Sequence, residues 1–261
     1  MKTIDAFIVA GGRPEPDHPL YPESRGGPKA LIDINGKPMI QWVIDALDEA
    51  ETVGRIVVVG LDAQSGLTAI KPLSYLPDHG GFFQNNAAGI RGLSALDREA
   101  EYGLAVCGDI PAIRGEMVDW LVRETVSEKL DVFYVIGSRA TVETTFPDSR
   151  RTFLPFRDGR YCGGSIHVLA MNKDIPVPKI WERLGEARKN PVRVTAVIGP
   201  RILFGLLFRR LTVEGVMKVF NRRFRITGRA VFTPFAELAM DVDKPYHLEI
   251  LRRHLRERIG R

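Results

Sequence analysis

The sequence predicts an α/β fold in which helices cover both faces of a mixed, mostly parallel central sheet. Short apolar runs rich in β-branched residues recur along the chain, and such runs are typical of parallel strands that are buried on both sides. Helical patterns of apolar residues separate several of these runs. The predicted strands are 4–10, 55–60, 103–107, 131–137 and 161–169, and the clearest predicted helices are 39–47, 116–127 and 246–258.

The length and composition of the chain limit its class. It has 261 residues, of which 44% are apolar and 26% are charged, and these values are ordinary for a globular protein. We expect one domain that spans residues 1–261. The net charge of +5 suits an enzyme for anionic substrates, although a solvated surface is the favoured explanation of it, and we expect no nucleic-acid partner.

Cysteine and targeting patterns narrow the class further. Cys107 and Cys162 lie in separate apolar runs and belong to no Cys-x-x-Cys or Cys/His cluster, so we expect no zinc or iron–sulfur site. The N-terminus lacks a signal-peptide pattern, and no stretch approaches the ~18–20 apolar residues that span a bilayer. Free thiols in such runs fit a reducing compartment, and we expect a cytoplasmic protein.

A glycine-rich basic loop follows the first predicted strand. Gly11 and Gly12 open the loop, which carries Arg13, Arg25 and Lys29 before the next helix. Glycines let backbone N–H groups approach phosphate oxygens, and lysine and arginine neutralise phosphate charge. The loop is neither a Walker A loop nor a dinucleotide fingerprint, because it matches neither G-x-x-x-x-G-K-[ST] nor G-x-G-x-x-G. It therefore predicts an anion-holding site of another kind.

Carboxylates stand at two further positions where a ligand site is expected. Asp109 follows the apolar run 103–107 in the sequence Gly-Asp-Ile-Pro. Ligands of open α/β sheets bind outside the carboxyl ends of strands, although an aspartate there can also simply cap a turn. Asp241 and Asp243 form an Asp-x-Asp before the last predicted helix, and an extended backbone would put both carboxylates on one face.

These motifs resemble, in order, those of the MobA-like NTP transferase family, which belongs to the GT-A-type nucleotidyltransferases. The loop between Gly12 and Arg25 is longer than is usual in that family, and the spacing from Arg25 to Lys29 is tighter. The resemblance implies a three-layer α/β/α, Rossmann-like fold with a nucleotide-binding half at about 1–115 and an acceptor half at about 116–261. The matching stretches are Ala10-Gly11-Gly12, Arg25-Gly26-Gly27-Pro28-Lys29, Gly36-Lys37-Pro38-Met39, Gly108-Asp109-Ile110-Pro111 and Asp241-Val242-Asp243-Lys244-Pro245.

The resemblance also implies a reaction. An NTP would donate its nucleoside monophosphate to a phosphorylated small-molecule acceptor, with Mg²⁺ held by the carboxylates and pyrophosphate as the leaving group. Acceptor candidates are molybdopterin, a sugar 1-phosphate or another phosphomonoester. Two alternatives remain, namely a GT-A-type glycosyltransferase that uses a nucleotide sugar and a non-catalytic nucleotide-binding module. The glycosyltransferase would carry Asp-x-Asp at the end of a central strand, where this chain has the single Asp109.

Residue by residue, the resemblance implies four sets of site residues. Lys29, Arg25, Asp109 and Asp243 are expected to be catalytic. Asp109 and Asp243 are expected to bind the metal, with Asp241 as a near neighbour. The nucleotide is expected to contact Ala10, Gly11, Gly12, Arg13, Lys29, Asn85, Asn86, Gly89 and Asp109. The acceptor is expected to contact Arg150, Arg151, Gly163 and Gly164.

Three segments leave simpler explanations open. Asn86 is also a plausible helix N-cap, which would explain it without a ligand. Arg150 and Arg151 would equally suit a hairpin with exposed arginines. Residues 175–225 predict a helical insert near the C-terminal third. Its apolar and basic part at 201–225 suits either packing on the core, which is favoured, or contact with a membrane surface.

Overall fold

The computed structural model describes residues 3–171 and 210–260, and the elements are numbered along those ranges. The strands are β1 (Ile4–Val9), β2 (Asp33–Ile34), β3 (Lys37–Pro38), β4 (Val53–Val59), β5 (Leu73–Leu76), β6 (Tyr102–Cys107), β7 (Val132–Ser138), β8 (Leu154–Phe156), β9 (Gly159–Ala170) and β10 (Gly228–Thr233). The helices are α1 (Tyr21–Ser24), α2 (Met39–Glu49), α3 (Phe82–Leu96), α4 (Gly115–Thr125), α5 (Arg139–Thr145), α6 (Val213–Phe224) and α7 (Pro245–Ile259). Short 3₁₀ segments lie at Lys29–Leu31, Ala63–Ser65 and Ala236–Ala239.

The central sheet is mixed and mostly parallel, as the sequence predicts. Its strand order is β10-β7-β9-β6-β1-β4-β5, and β8 pairs with β9. The pairs β1–β4, β1–β6, β4–β5 and β7–β10 are parallel, whereas β9 runs antiparallel to β6, β7 and β8. The β8–β9 hairpin turns between Phe156 and Gly159.

Helices pack on both faces of this sheet. On one face, Ile8, Val58 and Val106 of the strands share a buried cluster with apolar residues of α2 and α4. On the other face, Phe7 and Val57 pack against α3. The backbone of α3 lies so close to β1 that a Cβ atom at Gly89 would stand only 2.3 Å from the Phe7 ring. The predicted α/β class with helices on both faces is therefore confirmed.

The last helix, α7, packs on α2 through one side. Leu248, Leu251 and Leu255 are fully buried and share a cluster with Met39 and Trp42. The sequence pattern also places Ile259 on this side, but Ile259, the last residue of the helix, is 63% exposed. The packing of α7 fixes the position of the Asp241–Asp243 segment that precedes it.

Two local predictions are wrong. The sequence predicts no strand within 61–81, yet that range contains β5, a short edge strand that pairs with β4. β5 is defined by its pairing with β4. Its residues are half-exposed and show little hydrophobic alternation from which a strand could be predicted. Asn86 is not the N-cap of its helix, because α3 begins at Phe82 with Gly81 as its N-cap.

The predicted insert is described only in part. Residues 172–209 lie outside the described ranges, so the prediction of helix at 175–209 and of membrane contact at 201–209 falls there. The predicted amphipathic segment 213–224 is the helix α6, where the Thr212 hydroxyl accepts a hydrogen bond from the Gly215 N–H group. Among residues 3–171 and 210–260, no helix combines the length and the apolar character that crossing a membrane requires.

Candidate active site

The candidate site lies at a topological switch point of the sheet. The chain passes from β1 to β4 on one side and later returns to β6 on the other side of β1. Ligands of open α/β sheets bind outside the carboxyl ends of strands at such a point. Gly11 and Gly12 follow the end of β1, and Asp109 follows the end of β6, so the fold brings these two predicted motifs side by side.

Lys29 is held at this point between two carboxylates. Its backbone N–H group donates to the Gly12 carbonyl at 2.8 Å, which returns the long loop to the end of β1. Its Nζ lies 2.6 Å from Asp109 Oδ2 and 3.3 Å from Asp243 Oδ1. Burial lowers the pKa of the Lys29 ammonium, but the two carboxylates outweigh burial and raise that pKa above its ordinary value. Lys29 therefore carries its charge at neutral pH.

Three carboxylates lie close together at this point of the sheet. One oxygen from each of Asp109, Asp241 and Asp243 lies within 4.8 Å of the other two. The Val242 N–H group donates to the Asp109 carbonyl at 2.9 Å and so ties the C-terminal segment to the end of β6. Burial raises the pKa of Asp243, but the Lys29 ammonium more than offsets this and lowers that pKa below its usual value. Asp243 is therefore ionised at neutral pH.

The three carboxylates differ in their partners. Asp241 forms an ion pair with Arg151, and both side chains are mostly buried. Asp109 Oδ2 accepts a hydrogen bond from Lys29 Nζ. Asp109 Oδ1 is buried and has no hydrogen-bond partner among the described residues. A buried oxygen without a donor is costly, so this atom suits a cation or a donor supplied by a ligand. The set is chemically fit for a hard divalent cation, which takes oxygen ligands.

The glycine loop contacts the start of α3. A Cβ atom at Gly11 would lie 2.7 Å from Asp78 Oδ1 and 2.9 Å from Asn85 Nδ2, so these side chains pack directly on the loop. Asn85 is 2% exposed, donates to Asp78 at 2.8 Å and accepts from the His79 N–H group at 2.7 Å. Ala10 is buried next to the loop, and its N–H group donates to Val59 on β4. Asn85 therefore holds the 78–79 turn beside Gly11.

The other predicted nucleotide contacts differ in accessibility. Asn86 is half-buried, and its side chain donates to the Phe82 carbonyl at 2.7 Å. Gly89 is buried against Phe7, which is a packing role. Arg13 and Arg25 are exposed, and among residues 3–171 and 210–260 neither side chain has a hydrogen-bond or ion-pair partner. Both arginines therefore remain available to an anionic ligand.

The two predicted acceptor arginines are placed differently. Arg151 points inward to Asp241, as described above. Arg150 is exposed at a φ of 47°, with its guanidinium carbon 5.9 Å from the centre of the Tyr246 ring. It lines a cleft of about 540 Å³ on the outer side of α7. The described lining residues are Asp148, Arg150, Tyr246, Glu249, Ile250, Arg253, Arg256 and Glu257.

The two predicted acceptor glycines lie on β9. A Cβ atom at Gly163 would lie 2.7 Å from Tyr134 Oη, and one at Gly164 would lie 3.0 Å from the Leu238 carbonyl oxygen. Gly164 thus lets the Ala236–Ala239 segment pack closely on β9, which is a packing role. Gly163 is exposed, and beside it the Tyr134 ring stacks on His167 at a centroid distance of 4.5 Å.

Sequence reasoning missed one histidine beside the carboxylates. His247 is 4% exposed, and its Nδ1 accepts from the Asp243 N–H group at 3.2 Å. Burial, which is the main effect, lowers the pKa of His247, so the ring is neutral at pH 7. The available signal was its spacing, because a residue four positions after Asp243 falls in the first turn of the helix and faces back towards it.

Comparison with known proteins gives the chain a family. The profile of the MobA-like NTP transferase domain matches residues 6–193. A probable molybdenum cofactor guanylyltransferase of Pyrococcus horikoshii is 29% identical over 126 residues, which are 48% of this chain and 57% of that protein. The matched region thus spans little more than half the length of this curated relative.

Solved structures agree with the fold. A hypothetical transferase from Thermus thermophilus is 28% identical, with a TM-score of 0.81 over 95% of this chain and 100% of that one. A CMP:2-keto-3-deoxy-manno-octonic acid synthetase in complex with CTP has a TM-score of 0.60 at 18% identity over 98% of this chain and 100% of its own. The latter likeness concerns the fold alone. Because the family profile covers more than half of the sequence, the chain belongs to the MobA-like NTP transferase domain family.

Proposed function

We propose that this protein is a Mg²⁺-dependent nucleotidyltransferase that moves a nucleoside monophosphate from an NTP to a phosphorylated small-molecule acceptor. One observation carries the proposal: the Lys29 ammonium lies between Asp109 and Asp243, at the sheet's switch point and next to a glycine loop. A reaction between two phosphate anions requires positive charge, which the lysine would supply directly and the two carboxylates would supply by holding a divalent cation. In such a reaction the neutralisation of charge dominates the barrier.

The carboxylates are the proposed metal ligands. Asp109 and Asp243 would hold the ion, and Asp241, which is already paired with Arg151, would be its near neighbour. The partnerless Oδ1 of Asp109 supports this assignment. Mg²⁺ prefers oxygen ligands and binds through one or two carboxylates together with substrate phosphates. When bound, it would supply positive charge that stabilises the phosphates and orients them.

The chain's own groups divide the remaining work. Lys29 would exchange one carboxylate partner for an oxygen of the α-phosphate. Arg13, Arg25 and the backbone N–H groups of Gly11 and Gly12 would bind the β- and γ-phosphates. An acceptor phosphate oxygen would form a new bond to the α-phosphorus as the bond to the bridging α–β oxygen breaks and pyrophosphate leaves. No protein nucleophile is required, and burial, the largest cause, raises the pKa of the Cys107 thiol and keeps it protonated.

The two halves of the chain would then bind different substrates. Residues 1–115 would bind the NTP, with the base next to Asn85 and Asn86, and residues 116–261 would bind the acceptor. Gly163 and Arg150 are exposed on the acceptor half, and Arg150 would offer its guanidinium to a phosphate. The similar proteins include a probable guanylyltransferase and a synthetase in complex with CTP, so GTP and CTP are the first donors to examine.

The test is pyrophosphate release by the purified full-length protein. Each of the four NTPs is incubated with Mg²⁺ and, in turn, molybdopterin, glucose 1-phosphate and glycerol 3-phosphate. We expect release that requires one NTP, one acceptor and the metal, with equal formation of the nucleotidyl product. Transfer of a sugar from a UDP-sugar without pyrophosphate release would instead support the glycosyltransferase alternative. NTP binding without turnover on any acceptor would support a binding module.

A further inference from the structure

A buried histidine connects the candidate metal segment to the loop that carries the two predicted acceptor arginines. His247 Nδ1 accepts a hydrogen bond from the Asp243 N–H group at 3.2 Å. Its Nε2 lies 2.9 Å from the Ser149 carbonyl oxygen. Since a nitrogen that accepts carries no proton, the ring proton is on Nε2, and Nε2–H donates to Ser149. One imidazole thus bridges two segments that lie 94 positions apart in the sequence at Ser149 and Asp243.

The bridge belongs to a larger tie between the same two segments. Two residues after Ser149, Arg151 forms its ion pair with Asp241, and its Nη1 also donates to the Asp241 carbonyl at 3.4 Å. Ser149 is fully buried, whereas Arg150 between the two anchors is exposed at a φ of 47°. Anchors on either side of Arg150 fix the backbone that presents it. Asp243 and Arg150 are therefore held relative to one another through His247.

We infer that His247 is a positioning residue that sets the backbone of Asp243 for the metal and, through Ser149, the loop of Arg150 for the acceptor. This role rests on the proposed function. The Asp243 side chain is 56% exposed, so packing of the side chain alone does not fix it. Its backbone N–H group is instead fixed by the His247 ring. His247 lies in the first turn of α7 and is only 4% exposed.

Two conservative substitutions separate the halves of the bridge. The side-chain oxygen of an asparagine reaches roughly where His Nδ1 lies, so His247→Asn keeps the acceptor for Asp243 and loses the donor to Ser149. The amide nitrogen of a glutamine reaches roughly where His Nε2 lies, so His247→Gln keeps the donor and loses the acceptor for Asp243. His254→Gln is the matched control, because His254 lies on the same helix and packs on Phe146, with a centroid distance of 5.0 Å.

Binding of Mn²⁺ alone is measured by the loss of the free-ion electron paramagnetic resonance signal. Groups that hold metal ligands in place typically change affinity 10- to 100-fold, so we expect His247→Gln to raise the Mn²⁺ dissociation constant about tenfold. His247→Asn and His254→Gln should stay within about twofold of the wild type by the same argument. Thermal unfolding of each variant checks that it is folded.

Amide hydrogen exchange supplies a readout that needs neither metal nor substrate. His247→Gln should speed exchange at the Asp243 amide, whereas His247→Asn should speed exchange in the loop at 148–151 and leave Asp243 protected. Equal Mn²⁺ affinity in the wild type and His247→Gln would overturn the role of His247 alone. Wild-type protein that binds no Mn²⁺ would count against the proposed function itself, and this role would fall with it.

Discussion

The two ends of the candidate site are built in different ways. At the nucleotide end, the parallel register of β1 and β6 puts Gly11 and Asp109 side by side, and the hydrogen bond from the Lys29 N–H group to Gly12 brings Lys29 to the same point. At the acceptor end, charged groups reach the site on irregular segments that are held by long-range ties, such as Arg151 to Asp241. Backbone hydrogen bonds fix the first geometry, and individual side-chain contacts fix the second.

This comparison predicts different effects of mutation at the two ends. Variants of the charged groups at the nucleotide end should lose activity and keep stability, because those groups would serve the ligand. Variants of the tied groups at the acceptor end should lose stability, because those groups also hold the backbone. The predictions below run from the largest expected effect to the smallest.

Lys29→Ala should lower turnover by about 10²–10³-fold, because it removes a cation placed where charge would develop on the α-phosphate. Lys218→Ala is the control, since Lys218 is an exposed lysine paired with Glu214 on α6. Pyrophosphate release measures both variants at saturating NTP. Turnover near the wild-type value for Lys29→Ala would remove Lys29 from the reaction.

Asp109→Asn should raise the Mg²⁺ concentration needed for half-maximal activity by at least about tenfold. Loss of a metal ligand should weaken metal binding at least as much as loss of a residue that positions a ligand. The exposed Asp17, in the long loop, provides the control substitution Asp17→Asn. Activity is titrated against Mg²⁺ at fixed NTP for each protein. An unchanged titration for Asp109→Asn would place the ion elsewhere.

Arg151→Ala should destabilise the fold by about 3 kcal/mol, because it leaves the mostly buried Asp241 carboxylate without its partner. The adjacent Arg150→Ala should stay within about 0.5 kcal/mol of the wild type, because Arg150 is exposed. Urea unfolding measures both free energies. Equal stability of the two variants would contradict the assignment of Arg151 to holding the backbone.

Asn85→Ala should cost about 1–2 kcal/mol, because it removes a buried amide that bonds both Asp78 and the His79 backbone. The neighbouring Asn86→Ala should cost less than about 0.5 kcal/mol, since the one hydrogen bond of its side chain among the described residues is an exposed contact with the Phe82 carbonyl. The same urea experiment separates the two. A larger cost for Asn86 would show that its side chain does more than this contact.

The sequence predicts the nucleotide end well because its signals are local. An apolar strand followed by Gly11-Gly12, or by Gly108-Asp109, fixes both the strand and the position of the polar residue after it. The parallel pairing of β1 and β6 then follows from the fold class. The position of Asp243 beside Lys29 depends on the packing of α7 on α2. The family motif, and not hydrophobic periodicity, predicted that Asp243 belongs to the site.

The acceptor end was predicted in less detail because its determinants are tertiary. Nothing near Arg151 in the sequence distinguishes it from Arg150, yet one is paired with Asp241 and the other is exposed. The strand β5 was missed for a similar reason, since pairing with β4 defines it. His247 gave only a spacing signal, and its partner Ser149 lies far away in the chain.

The most direct test of the account is the melting temperature of the wild type and of Asp109→Asn with ATP, GTP, CTP and UTP, each with and without Mg²⁺. A ligand at 100 times its Kd stabilises a protein by about 2.7 kcal/mol, which is readily measured. We expect one NTP to raise the wild-type melting temperature only when Mg²⁺ is present, and this rise to be absent in Asp109→Asn. A rise of the same size in both proteins, or no rise with any NTP, would contradict a metal-nucleotide site at Asp109.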